Sequence, residues 1–199
     1  MSKLITIDTN DSTAIKVEAG KVLPLLSEDD PKLKTPTKEF SFLGEGLQKA
    51  ESLARDLIET VKAHRAFGLA ANQCGIDSSV IAFGYGDDYS VMFNPKIISS
   101  SEETVMMQEG CLSFPFLILN INRPKTLTLE FQDYKGDKQT QTLEGMSARV
   151  ILHELDHLNG ITFNTLAKPL ALKNGLKKRE KNMKRYAKHI VSQRMISNG

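Results

Sequence analysis

A chain of 199 residues with 40% apolar side chains is long enough to bury a sizeable core within one domain. Its net charge of +2 is uneven: residues 172–199 carry nine Lys or Arg against one Glu, a net +8, which leaves −6 for the remainder. No apolar run approaches the roughly 18 residues that span a bilayer, and the N-terminal residues lack a signal-peptide block and are too acidic for a transit peptide, so a soluble, cytoplasmic protein is expected.

Residues 1–20 read as an extension without identifiable chemistry. From Lys21 to Phe42, prolines at 24, 31 and 36 forbid long regular structure. Leu47, Ala50, Leu53, Ala54, Leu57, Ile58 and Val61 then recur at helical spacing and predict an outer helix over about 44–65. It ends in Ala66-Phe67-Gly68-Leu69-Ala70-Ala71-Asn72-Gln73-Cys74-Gly75, small residues that let backbone pass close to a neighbour. Strands are expected at 79–84, 89–93 and 97–99, with Asn94-Pro95 as a turn signal, and near 104–107, leading into Glu109-Gly110-Cys111-Leu112-Ser113. Leu127, Leu129 and Phe131 alternate with Thr126, Thr128 and Glu130, and a Gly-containing turn returns the chain along 139–143 as a hairpin.

The next stretch holds the chemistry. Met146, Val150, His153 and His157 form one helical stripe, Ile151, Leu155 and Leu158 an adjacent one, and Asn159-Gly160 supplies a stop. His153 and His157 lie one turn apart and can share one metal ion, with Glu154 placed to take a proton from a water at that ion. A buried amphipathic helix with merely hydrogen-bonded histidines fits the same five residues. Two histidines leave a metal short of a protein ligand. The region beyond His157 offers neither Glu nor His where a metallopeptidase would have one, and Cys111, a soft donor beside a glycine, is the attractive third ligand. Cys74 reads as a small buried side chain rather than a disulfide partner.

Gly68-Leu69-Ala70-Ala71-Asn72-Gln73, Glu109-Gly110-Cys111-Leu112-Ser113 and His153-Glu154-Leu155-Asp156-His157, in this order and at these separations, resemble the three signature motifs of the peptide deformylases. Pro31-Lys32-Leu33 resembles that family's N-terminal segment, and the similarity runs from about Leu23 to Leu166. The resemblance implies an α+β fold, antiparallel strands around a central helix carrying the histidines, with the outer helix and a C-terminal helix added. It implies that Cys111, His153 and His157 bind a divalent metal, Fe²⁺ in the cell with Zn²⁺, Ni²⁺ or Co²⁺ as replacements. Glu154 would be the general base, and the Gln73 amide and Leu112 N–H the donors to the developing oxyanion. The reaction implied is removal of the formyl group from formyl-methionyl nascent peptides by a monomer. The peptide would add as a strand along Gly68 and Gly110, with Phe67, Met107 and Met146 around the methionine side chain; these three suit an ordinary core equally well. Gln73 alone reads as a loop amide, and Glu109 as an orienting partner for a ligand histidine or a surface charge. Arg149 and Asp156 read as structural, paired with each other or with Arg123.

Two features stand apart. The family's first motif begins Gly-x-Gly where this chain has Ala66-Phe67-Gly68, which would strain the loop by about 1 kcal/mol if position 66 were left-handed. Leu172, Leu176, Met183, Ala187 and Ile190 suggest a basic amphipathic helix over about 176–192. It is either a solubilising helix packed on the body or a dock for ribosomal RNA. The expected organisation is an extension at 1–20, a catalytic domain at 21–171 and a basic tail at 172–199. The rival readings are a metal-dependent peptidase or amidase, and a catalytically idle ribosome- or RNA-binding relative.

Overall fold

The computed structural model describes residues 20–197. The expected extension over 1–20 therefore lies outside the described residues but for its last position. In chain order the regular elements are α1 (Gly46–Ala63), β1 (Gly68–Ala70), β2 (Val80–Tyr85), β3 (Asp88–Ser100), β4 (Thr104–Cys111), β5 (Phe114–Pro124), β6 (Thr126–Gln132), β7 (Lys138–Glu144), α2 (Met146–Leu158) and α3 (Pro169–Ser197). An antiparallel sheet in the order β1-β2-β3-β6-β7 and an antiparallel pair, β4-β5, make this an α+β fold.

The run Val80-Ile81-Ala82-Phe83 is apolar throughout because both faces of β2 are covered. Val80 and Ala82 pack with Ala50, Ala54, Leu57 and Val61 of α1. Ile81 and Phe83 point the other way, into a core with Ile151, Leu152, Leu155 and Leu158 of α2. Thus α2, expected at the centre, lies against the face of the large sheet opposite α1. A third core, Phe114, Leu117, Leu119, Ile121 and Phe163, lies under the β4-β5 pair.

Several expectations are corrected. The two strands placed on either side of Asn94-Pro95 are one strand, β3. Asn94 takes a left-handed φ of 51° and the register with β6 shifts between Phe93 and Lys96, a bulge that accommodates the proline. The Asn94 side chain holds the bulge, accepting from the Phe40 N–H at 2.7 Å and donating to the Phe40 carbonyl and Gln132 at 2.9 Å. β4 continues to Cys111 rather than stopping at 107. β5 has no counterpart in the expectation: its outward residues Phe116 and Ile118 are apolar as well, which hides the alternation of Leu117, Leu119 and Ile121.

α3 is longer than expected, starting at Pro169, whose fixed φ suits a first helical turn. It crosses β5 at Gly175, where a Cβ would stand 2.5 Å from Leu119 Cδ2. Leu172 is partly buried against the third core, but Leu176 and Met183 are each 45% exposed, so most of the expected apolar stripe faces solvent. Among the described residues, no helix is long and apolar enough to cross a membrane.

Candidate active site

The three motifs converge between the two sheets. α2 presents His153, Glu154 and His157 from one buried side, and their rings and carboxylate are almost wholly removed from solvent. The imidazole centroids of His153 and His157 lie 5.1 Å apart, as one helical turn dictates. Cys111 closes β4 at a bulge against Phe114, and its Sγ lies 3.2 Å from His157 Nε2. One donor atom from each of Cys111, His153 and His157 falls within 4.8 Å of the others. Donors bound to a tetrahedral ion at about 2.0–2.3 Å sit about 3.3–3.8 Å apart, so a thiolate and two imidazoles in this arrangement fit a divalent metal.

Glu109, two residues before Cys111 in β4, organises the surroundings. Its Oε2 lies 3.0 Å from His153 Nδ1, which assigns that nitrogen the proton and leaves Nε2 as the donor atom. Arg123 donates to both Glu109 oxygens at 2.6 and 2.9 Å, and to Asp156 at 2.7 Å. Arg149 donates to Glu109 Oε1 at 2.5 Å. Asp156 thus pairs with Arg123, one of the expected alternatives, whereas Arg149 turns to Glu109. Burial by itself would raise the Glu109 carboxyl, but hydrogen bonds from His153 and Arg123 outweigh it and hold the group down to about 2.

Glu154 is the opposite case. Burial lifts its carboxyl to about 7 against the opposing charge of His153 and Arg123. That range suits a group that must both take and return a proton near neutrality. Its Oε2 is buried without a hydrogen-bond partner among the described residues. Gln73 sits at the end of a short 3-10 turn after β1. Its Oε1 accepts the Ala70 N–H at 2.8 Å, which turns the Nε2 donor toward Cys111 Sγ at 3.5 Å and Ser113 Oγ at 3.3 Å.

A cleft of about 380 Å³ opens over this group. Phe67, Gly68, Gly110, Leu112 and Met146 of the expected residues line it. Met107 does not: at about 3.3 Å rise per residue it stands about 13 Å back along β4 from Cys111. Val150 and Arg149 line the cleft without having been singled out for it; an arginine on the apolar side of an amphipathic helix was the available signal. A second cleft of about 490 Å³ shares Phe67, Met146 and Val150 with the first. Ala66 is not left-handed, so the expected strain is absent; the left-handed residue is Arg65, at φ 52°.

Residues 22–172 match the family model described as polypeptide deformylase. A peptide deformylase of Synechocystis sp. is 34% identical over 177 residues, covering 84% of this chain and 93% of that protein. One from Wolbachia pipientis is 34% identical over 178 residues, covering 83% and 98%. The crystal structure of a Synechococcus elongatus peptide deformylase in complex with actinonin superposes with a TM-score of 0.73 at 32% identity, covering 85% of this chain and 94% of that one. The chain belongs to the peptide deformylase family, and deformylation, a hydrolysis, is its activity.

Proposed function

We propose that this chain removes the formyl group from formyl-methionyl nascent peptides, releasing formate and a free N-terminal methionine, with Cys111, His153 and His157 holding Fe²⁺. The observation that carries the residue assignment is the unpartnered Oε2 of Glu154, buried beside three metal-donor side chains. A divalent ion held there would supply Lewis-acid chemistry, making a water acidic near neutrality and polarising a carbonyl. Glu154 takes a proton from the attacking water as the oxygen of the water adds to the formyl carbon. Gln73 Nε2 and the Leu112 N–H donate to the formyl oxygen as it gains charge, each contributing about 3 kcal/mol. When the carbon–nitrogen bond breaks, Glu154 returns its proton to the leaving amine.

The peptide adds as a strand beside β1, one edge of which is taken by β2 while no described strand pairs with the other, where the Ala70 N–H is held by Gln73 Oε1. Gly68 and Gly110 line the cleft beside it, and the methionine side chain enters between Phe67, Met146 and Val150. The catalytic unit, expected over 21–171, takes in the first half of α3 through Arg179, and is a monomer in the cytoplasm. The basic helix beyond it docks on ribosomal RNA, supported by Lys177, Lys181, Lys184, Arg185 and Lys188 grouped along one surface of α3.

The test is anaerobic formate release from a formyl-Met peptide by iron-loaded protein, beside the Glu154→Ala variant and an acetyl-Met peptide. Release from the formyl substrate alone, lost in the variant with its metal retained, is expected. No release from folded, metal-replete protein would overturn the reading and favour an idle relative, although such a relative would be expected to have lost Glu154 or a ligand.

A further inference from the structure

Cys111 and the two histidines come from parts of the fold that share no strand pairing. The β4-β5 pair is not hydrogen-bonded into the five-stranded sheet on which α2 lies. Their relative placement rests on the one-residue link at Lys125 between β5 and β6 and on two arginines that cross, Arg123 of β5, which pairs with Asp156 of α2 at 2.7 Å, and Arg149. Arg149, 4% exposed, reaches from α2 to both strands of the pair. Its Nη1 donates to Glu109 Oε1 at 2.5 Å and to the Ile121 carbonyl of β5 at 3.0 Å, and its Nη2 donates to the Val105 carbonyl of β4 at 2.5 Å. One planar guanidinium therefore joins the histidine helix to the strand that ends in Cys111 and to that strand's partner.

Charge neutralisation does not require this arginine, because Arg123 already makes a bidentate pair with Glu109. Arg149 adds a buried cation, and its Nε has no partner among the described residues. Buried ionic groups of this kind are poor contributors to net stability. The geometric effect is specific. Glu109 Oε1 receives Arg149 and the Arg123 Nε, which leaves Oε2 to Arg123 Nη2 and His153 Nδ1.

We infer that Arg149 is a positioning residue of the metal centre: by pinning β4-β5 onto α2 and fixing Glu109, it sets the separation of Cys111 from His153 and His157. The inference rests on the proposed reading that these three residues hold a divalent ion. It concerns how tightly and in what geometry the ion is held, rather than the chemistry done there.

The experiment uses the full chain, stripped of metal and titrated with Co²⁺ against a competing chelator. The absorption spectrum reports the thiolate-to-cobalt and d–d bands, and a melt of the metal-free protein reports the fold. Arg149→Met keeps the apolar stem and leaves Glu109 neutralised by Arg123. It is expected to fold, to bind Co²⁺ about 10–100-fold more weakly, and to shift the d–d bands. Arg149→Lys keeps the charge but is shorter and carries its donors on a single nitrogen, which cannot reproduce the two-nitrogen fork over Glu109, Ile121 and Val105, so it recovers only part of the affinity. Wild-type affinity and spectrum in Arg149→Met, whatever its melting temperature, would overturn the inference. If that variant does not fold, Arg149→Lys decides: weakened affinity with shifted bands supports it, and wild-type behaviour overturns it. A wild-type protein that shows no thiolate band, or one that survives Cys111→Ser, would instead overturn the metal-centre reading beneath it.

Discussion

Gly68 passes so close above Glu154 that a Cβ at position 68 would stand 2.5 Å from the carboxylate Oε1 and 2.8 Å from Val150 Cγ1. The backbone of β1 and the proposed base are thus in contact. Replacing Gly68 with Ala forces either β1 or α2 to shift. A displacement of about 1 Å at a reacting group costs about 100-fold in rate. Gly68→Ala is therefore expected to lower kcat/KM by about that factor while destabilising the fold by about 1–3 kcal/mol. Steady-state kinetics and a thermal melt on the same preparation check both. Full activity would mean that the strand and the base do not act as a fixed pair.

This contact also marks where the sequence is legible. The small residues of 66–75 announce that backbone approaches something, but only the fold says that the neighbour is Glu154. The 126–143 hairpin carries a clean period of 2 because it packs one face and exposes the other, whereas the histidine helix, buried on nearly all sides, is legible through its histidine spacing and its Asn159-Gly160 stop. β5 does not, since Phe116 and Ile118 on its outer side are as apolar as its core residues. The Asn94-Pro95 pair reads as a turn because local signals cannot show that Phe40 and Gln132 will tie Asn94 into a bulge. The three donor residues are visible as motifs. The partners of Glu109 and Arg149 are not, because they are fixed by contacts 14 to 44 residues apart in the chain.

Cys111→Ser tests the donor set separately from the base. A serine hydroxyl is harder than a thiol and stays protonated, so the site loses its soft donor. The variant is expected to retain metal well below stoichiometry after dialysis, measured by elemental analysis, with little change in the fold because the side chain is nearly isosteric. Stoichiometric metal in the variant would exclude Cys111 as a ligand.

Cys74 should behave in the opposite way from Cys111. It is half-buried against the core beneath α1, and burial pushes its thiol from 9.0 up to about 12. The folded state thus keeps a proton that the unfolded chain releases above pH 9, so this stabilisation is complete below pH 9 and is lost as pH rises toward 12. In a Cys111→Ser background, iodoacetamide at pH 8 is expected to leave Cys74 unlabelled in the native protein and to label it in urea. The urea midpoint should fall between pH 9 and 11 more steeply than in Cys74→Ala. Rapid native labelling, or identical pH profiles, would contradict the assignment.

The two halves of α3 have different duties. Its first half belongs to the body. Leu172 packs on the third core, Gly175 crosses β5, and Arg179 donates to the Pro115 carbonyl at 2.9 Å and pairs with Glu28 at 2.7 Å. Glu28 lies two residues beyond Leu26, whose N–H donates to the Gln73 carbonyl, so cutting the helix before Arg179 would disturb the site itself. Removing residues 180–199 spares these contacts and deletes five Lys or Arg. The shortened chain is expected to turn over a formyl-Met tripeptide at the wild-type rate and to bind ribosomes more weakly. The intact chain's affinity should fall with a log–log salt slope of up to about −4, and the truncated chain, which keeps Lys177, should show a markedly smaller slope. Co-sedimentation with ribosomes across a salt series reads both. Equal affinity and equal slope for the two chains would mean that the distal half of α3 is a solubilising helix, with no part in meeting the ribosome.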